Sequence, residues 1–230
     1  MRPRNLKAER EKHGWGQVEA ARRLGVSQPY LAMLEKGKRR LTPALVRKFT
    51  SVYGLSPAAL PVSESFTPKR TVDAQRLAEY LARLGYPGFA YLRPHGEKKN
   101  PGEVLLTALG QGSLEARVAE ALPWLLLHYW QVDANWLAEE AKKFDLQNRL
   151  GFVVNLSRRL SERSSDSKRT SVLSKLEMVL EGSRLAREDA FYRPPRNDAE
   201  REWLMQNRPA EAVHWNLLTD LRPEHLQYVI

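Results

Sequence analysis

The sequence predicts an all-α protein: a five-helix N-terminal bundle over residues 1–60, a linker over 61–70 and a larger helical domain over 71–230. Three observations carry this expectation. Apolar residues recur every three to four positions along nearly the whole chain, and hardly any stretch alternates as a half-buried strand would. Glycines and Ser/Thr-Pro pairs punctuate the first sixty residues at helix-length intervals. The net charge of +10 is also unevenly placed: residues 1–50 hold 13 Lys/Arg against 4 Asp/Glu, whereas residues 51–230 hold 24 against 23. A basic end on a near-neutral body is the charge pattern of a nucleic-acid-binding module joined to an unrelated domain.

The first helix begins at Leu6, runs through Ala8 and Arg10, and ends at Gly14. The second spans 17–24, with Val18, Ala21 and Leu24 on one stripe, and Gly25 stops it as a left-handed turn residue. Either Ser27-Gln28 opens the third helix, or Pro29 does with Gln28 as its cap, because proline disfavours helical geometry in the residue before it. Leu31 and Leu34 form its inner face and Gly37 ends it. Thr42-Pro43 and Ser56-Pro57 each join a capping hydroxyl to a proline at the first helical position, marking helices four and five.

Gln17, Ala21, Gly25, Val26, Leu31, Leu34 and Glu35, followed by Gly37-Lys38-Arg39-Arg40, match in spacing the helix-turn-helix module of Cro/phage-repressor-type (XRE-like) regulators. Residues 4–60 resemble that module without insertion or deletion. The resemblance implies that the third helix enters the major groove of double-stranded DNA, reading it with residues 27–35. Gln28, Pro29, Ala32 and Met33 would then lie at base edges. Gln17, Tyr30, Lys36, Lys38, Arg39 and Arg40 would contact phosphates. Gln28 can pair bidentately with adenine, while Ala32 and Met33 offer apolar contacts such as a thymine methyl. A reading surface with few hydrogen-bonding groups implies a large share of DNA-shape recognition. Arg10 and Glu35 match a pair that ties the first helix to the end of the third. Gly16 stands where the family usually has serine or threonine, a weaker cap by a few tenths of a kcal/mol.

Beyond the linker, helices are expected at 73–84, 103–109, 114–130, 133–143, 145–163, 171–189, 198–207 and 209–219, with a terminal turn from Pro223. The apolar run 122–130 reads as a central buried helix, with His128 as a core histidine. The basic stretch 149–175 carries Arg149, Arg158, Arg159, Arg163, Lys168, Arg169 and Lys175 against Glu162 and Asp166. It reads first as a solvated helix end and flexible loop, with phosphate or an acidic partner as the alternative.

Cysteine is absent, which excludes disulfides, zinc ribbons and thiol nucleophiles. No apolar stretch reaches the roughly 20 residues a membrane span needs, and no signal peptide is visible, so a cytoplasmic protein with no membrane partner is expected. No phosphate loop, nucleophile elbow or HExxH motif occurs. Glu211 and His214, at i, i+3, form a lone pair with too few ligands for a metal. No enzyme activity, cofactor or metal is expected. The sequence therefore predicts a sequence-specific DNA-binding transcriptional regulator, a repressor that binds an inverted-repeat operator as a homodimer. An alternative is an antitoxin that neutralises a neighbouring toxin and represses its own operon. It is suggested by the size of the C-terminal domain and by a faint resemblance of 146–152 and 214–221 to regulators of toxin–antitoxin or defence operons. A small-molecule sensor with a tryptophan-lined pocket is a third reading of that domain.

Overall fold

The computed structural model describes residues 3–63, 65–68, 71–226 and 228. The fold is all-α, and the backbone divides into two compact units, residues 1–63 and 64–230. Among the described residues no helix is long and apolar enough to cross a membrane.

The N-terminal unit contains α1 (Pro3–Lys12), α2 (Gln17–Leu24), α3 (Gln28–Glu35) and α4 (Pro43–Val52), then a single 3-10 turn at Pro57–Ala59 where a fifth helix was expected. Leu6, Ala20, Ala21, Leu24, Leu31, Leu34, Phe49 and Tyr53 form its core, with Trp15, Val26, Tyr30 and Leu45 packed at the edge. Ala21 on α2 is buried in this core, and α2 packs on α3. Val18 departs from the expected stripe: it is 74% exposed, and Ala20 takes the inward position. In a two-turn helix the neighbouring elements set the buried face more than the apolar pattern does.

Caps set the boundaries. Gly25 is left-handed (φ 59°), its N–H bonds the Arg22 carbonyl, and Val26 N–H returns to Ala21. This double closure is the Schellman arrangement. A Cβ on Gly25 would also lie 2.7 Å from the Lys48 ammonium. Ser27, not Gln28, caps α3: its hydroxyl accepts from Tyr30 N–H. Gln28 is therefore the first helical residue and Pro29 the second, where a missing N–H costs nothing because first-turn donors have no intrahelical partner. Thr42 and Ser56 accept from Leu45 and Ala58 N–H as their sequence context predicts.

The C-terminal unit comprises α5 (Ala74–Arg83), a 3-10 turn Pro87–Phe89, α6 (Pro101–Leu109), α7 (Ala116–His128), α8 (Ala134–Lys143), α9 (Gln147–Arg163), α10 (Ser167–Glu181), α11 (Asp198–Asn207) and α12 (Ala210–His214). Two short strands, β1 (Asp189–Ala190) and β2 (Leu217–Leu218), pair in parallel. Helix α9 lies at the centre, packed on α6, α7, α8, α10 and α12. Phe152, Val153 and Val154 are fully buried within it, and this apolar run is helix and not strand. Gly151 lets α9 approach Trp215, whose indole is itself fully buried. Of the proline-bearing segment, Phe66 packs edge-on to Trp136 and Phe144, and Pro68 lies against Gly110. Lys69 and Arg70, which end it, lie outside the described residues.

Two expected helices are shorter than their apolar periodicity suggests. α10 stops at Glu181 with Gly182 as its C-cap, and beyond it the Asn148 side chain holds both backbone groups of Leu185, accepting from its N–H and donating to its carbonyl. α12 stops at His214 because Asn216 turns left-handed (φ 52°) and donates to the same Leu185 carbonyl. The chain leaving each helix then forms the β1–β2 pair. His128 is exposed, stacked 4.8 Å from Trp124, and is not the core histidine expected. Leu122 to Leu127 are buried, as the central-helix expectation requires.

Candidate nucleic-acid interface

α2, the Gly25 turn and α3 together place one polar face in register. Gln17 opens α2 and Gln28 opens α3. Gln28 Nε2 donates to Gln17 Oε1 (2.8 Å), and Gln17 Nε2 donates to Glu35 Oε2 (2.9 Å). Arg10 grips the same carboxylate with Nε (2.7 Å) and Nη2 (3.2 Å), and spends Nη1 on the Trp15 carbonyl (2.9 Å). The result is one continuous relay from α1 through the end of α3 and the start of α2 to the first residue of α3. Burial pushes the Glu35 carboxyl up, but hydrogen bonds from Arg10 and Gln17 with the Arg10 charge outweigh it, leaving its pKa below the ordinary value. The Glu35 hydrogen bond correspondingly raises Arg10. Arg10 and Glu35 are thus a buried, bidentate, charge-assisted pair.

The other candidate readers spread along α3. Pro29 is exposed, Ala32 and Met33 are half-buried, and Tyr30 packs its ring on the core edge. After α3 the chain turns at Gly37 (φ 73°), with Gly37 N–H on the Leu34 carbonyl and Lys38 N–H on Met33. This second Schellman closure fixes where the following loop starts. Lys36, Lys38, Arg39 and Arg40 are all exposed around it. On α2, by contrast, Glu19 pairs with both Arg22 and Arg23, and Arg23 also lies over the Trp15 ring. The free positive charge of this face therefore concentrates at 36–40.

The basic stretch 149–175 behaves differently. Arg149 is bidentate on Asp189 and also donates to the Leu109 and Gln111 carbonyls. Arg158 pairs with Glu162 and Glu177, Arg159 with Glu211, Arg163 with Glu224 and Arg169 with Asp166. Lys168 lies over the Trp130 ring. The expected flexible loop is a tight α9–α10 hairpin in which buried Ser161 bonds Asp166 and Thr170. Arg149 and Arg158 thus tie separate segments together, whereas the Arg163–Glu224 pair and Lys175 lie on the solvated surface.

Glu211 and His214 do not converge. Glu211 is buried on Arg159, while His214 Nε2 lies 2.6 Å from Glu181 Oε2. Among the described residues no group of three or more His, Asp or Glu is arranged to hold a metal ion. The tryptophans are likewise dispersed: Trp215 is fully buried, Trp124 nearly so, and Trp203 is 51% exposed.

Residues 6–60 match the Helix-turn-helix family model. That span carries the Cro/phage-repressor-type resemblance, and it points to a DNA-binding transcriptional regulator. No curated protein and no solved structure matches the chain, so nothing supports a likeness of the C-terminal unit to antitoxins.

Proposed function

We propose that the protein is a sequence-specific repressor that lays α3 in the major groove of double-stranded DNA, two copies occupying an inverted repeat. The observation that carries this is the relay that presents Gln28 at the start of α3. With one Nε2 hydrogen on Gln17, Gln28 keeps a second N–H and its carbonyl oxygen, the donor–acceptor pair that adenine N7 and N6 require. Gln17 likewise keeps one N–H for a phosphate. Ala32 and Met33 supply apolar contacts, Pro29 approaches the same bases, and Tyr30, Lys36, Lys38, Arg39 and Arg40 meet the backbone. Half-sites one helical turn apart, about 34 Å, would suit a two-fold dimer.

Affinity and specificity should separate by residue. Replacing Arg39 and Arg40 together with glutamine is expected to weaken binding to every duplex. The log–log salt slope should fall by nearly two, since about 0.9 counterion is released per phosphate contact. Salt titration on a selected duplex and its scrambled version measures this; unchanged affinity for both would show the loop faces away from DNA. Gln28→Ala and Met33→Ala should leave the slope intact and change which sequence is recovered from a random duplex library. Loss of a good bidentate base contact costs about 1–3 kcal/mol of discrimination. Wild type should recover an inverted repeat; identical recovered sequences from all three proteins would show that Gln28 and Met33 do not set the sequence preference.

A further inference from the structure

The C-terminal unit has an open cleft of about 430 Å³ lined by Asp73, Gln75, Arg76, Glu79, Tyr80, Arg83 and Lys99. Helix α5 places Arg76, Tyr80 and Arg83 on one face at i, i+4, i+7, and the loop before α6 brings in Lys99. All three cations converge on one buried phenol. Arg76 Nε donates to the Tyr80 hydroxyl (2.9 Å), the Lys99 ammonium lies 4.5 Å from the ring centroid, and the Arg83 guanidinium carbon 5.8 Å from it. Burial alone would push the Tyr80 hydroxyl up; hydrogen bonding from Lys99 and Arg76 outweighs it, so its pKa lies below the ordinary tyrosine value.

Two carboxylates, Asp73 and Glu79, line the same cleft against the three cations, which leaves one positive charge in excess. Asp73 serves as the cap of α5 through Gln75 N–H, and Glu79 reaches Arg83 only at 3.4 Å. The Arg83 Nε–H is buried and has no hydrogen-bond partner among the described residues. Gly96, at φ 110°, lies against the guanidinium: a Cβ there would sit 3.6 Å from its carbon. Arg83 keeps an unused donor beside its Glu79 pair, and an anion in the cleft would neutralise the excess positive charge of the three cations. The volume is that of a small-molecule site, and such a polar lining selects a highly charged occupant. A single carboxylate satisfies one guanidinium fork, whereas a tetrahedral phosphoryl group has oxygens for an arginine fork and two further cations.

We propose that this cleft binds the phosphoryl group of a small phosphorylated molecule. The probe is inorganic pyrophosphate, titrated calorimetrically into the full chain at 150 mM KCl. One saturable site per chain is expected, weakened at least tenfold by Lys99→Gln and by Arg83→Gln. Lys99 is an exposed loop residue, so its substitution tests the site without endangering the fold, which thermal melts check. The exposed Arg187→Gln variant should bind as wild type does. The Arg39→Gln/Arg40→Gln chain should also bind pyrophosphate normally, which separates this site from the DNA face. No saturable heat, binding indifferent to Lys99→Gln, or loss in the Arg39/Arg40 variant would overturn the proposal. So would displacement of pyrophosphate by duplex DNA in that variant, since the cleft would then serve the DNA backbone.

Discussion

Replacing Arg10 with methionine is expected to destabilise the N-terminal unit by about 3–5 kcal/mol, the usual cost of leaving one member of a buried ion pair behind. Glu35 would remain enclosed with Gln17 as its remaining donor. The pH dependence carries a distinguishing sign. In the wild type the Glu35 pKa lies below its unfolded value, so its stabilising contribution is present above the unfolded carboxylate range and is lost as pH falls through the folded pKa. In the variant, burial is no longer outweighed, and a protonated Glu35 tolerates the site better than a charged one. The gap between the two proteins should therefore narrow from pH 7 to pH 4. Hydrogen exchange of the α1–α4 amides measures this without interference from the other unit. Equal protection at pH 7 would show that the pair contributes nothing to stability.

The second large effect concerns Gly151 and Trp215. Truncating Trp215 to alanine should cost about 3–5 kcal/mol, as for other fully buried aromatic side chains. Its indole N–H is buried without a partner among the described residues, which partly offsets what the ring contributes, so Trp215→Phe should cost less. Gly151→Ala should destabilise despite alanine's helix propensity, worth about 1 kcal/mol over glycine. Its Cβ would lie 2.3–2.5 Å from three ring atoms of an enclosed indole, and overpacking of this kind costs about 1–3 kcal/mol. In a Trp215→Leu background the same Gly151→Ala change should become neutral or stabilising. Urea unfolding of the four proteins gives the cycle; an additive result would show that the two residues do not share space.

The parts of the fold written in local chemistry were legible. Gly25, Gly37 and Thr42-Pro43 end or begin elements through their own backbone preferences where expected, whereas Ser56-Pro57 opens only a 3-10 turn. What lay beyond reach was decided by distant residues. Gly182 directly after Glu181 marks the end of α10 locally, but the path the chain then takes is set by Asn148, 37 residues upstream of Leu185. Two-residue strands are too short to show alternation. His128 sits in a run apolar on every side, which gives a helix no phase from which to tell inside from outside. The charge of 149–175 was counted correctly, but its meaning depended on Asp189, Glu177, Glu211 and Glu224 in other segments. On the candidate DNA face, the residue types and the exposed basic loop were visible. The meeting of Gln17, Gln28 and Glu35 was not, because it joins the ends of two helices. At the phosphoryl cleft only the Arg76, Tyr80, Arg83 spacing could be read, and Lys99 arrives from a loop.

The relay from Arg10 to Gln28 also moves an entropic cost from one event to another. A free glutamine side chain gives up as much as about 2 kcal/mol of rotamer freedom when fixed. Here Gln28 is fixed by Gln17, and Gln17 by a carboxylate that Arg10 already holds, so the ordering occurs when the helices pack. On the proposed mode of binding, the adenine meets an amide that is already stationary. The cost of immobilising an interfacial side chain, about 0.5–1.5 kcal/mol, is then charged to folding and not to association. Arg10, remote from any base, would in this way contribute to affinity through disorder that DNA no longer has to remove.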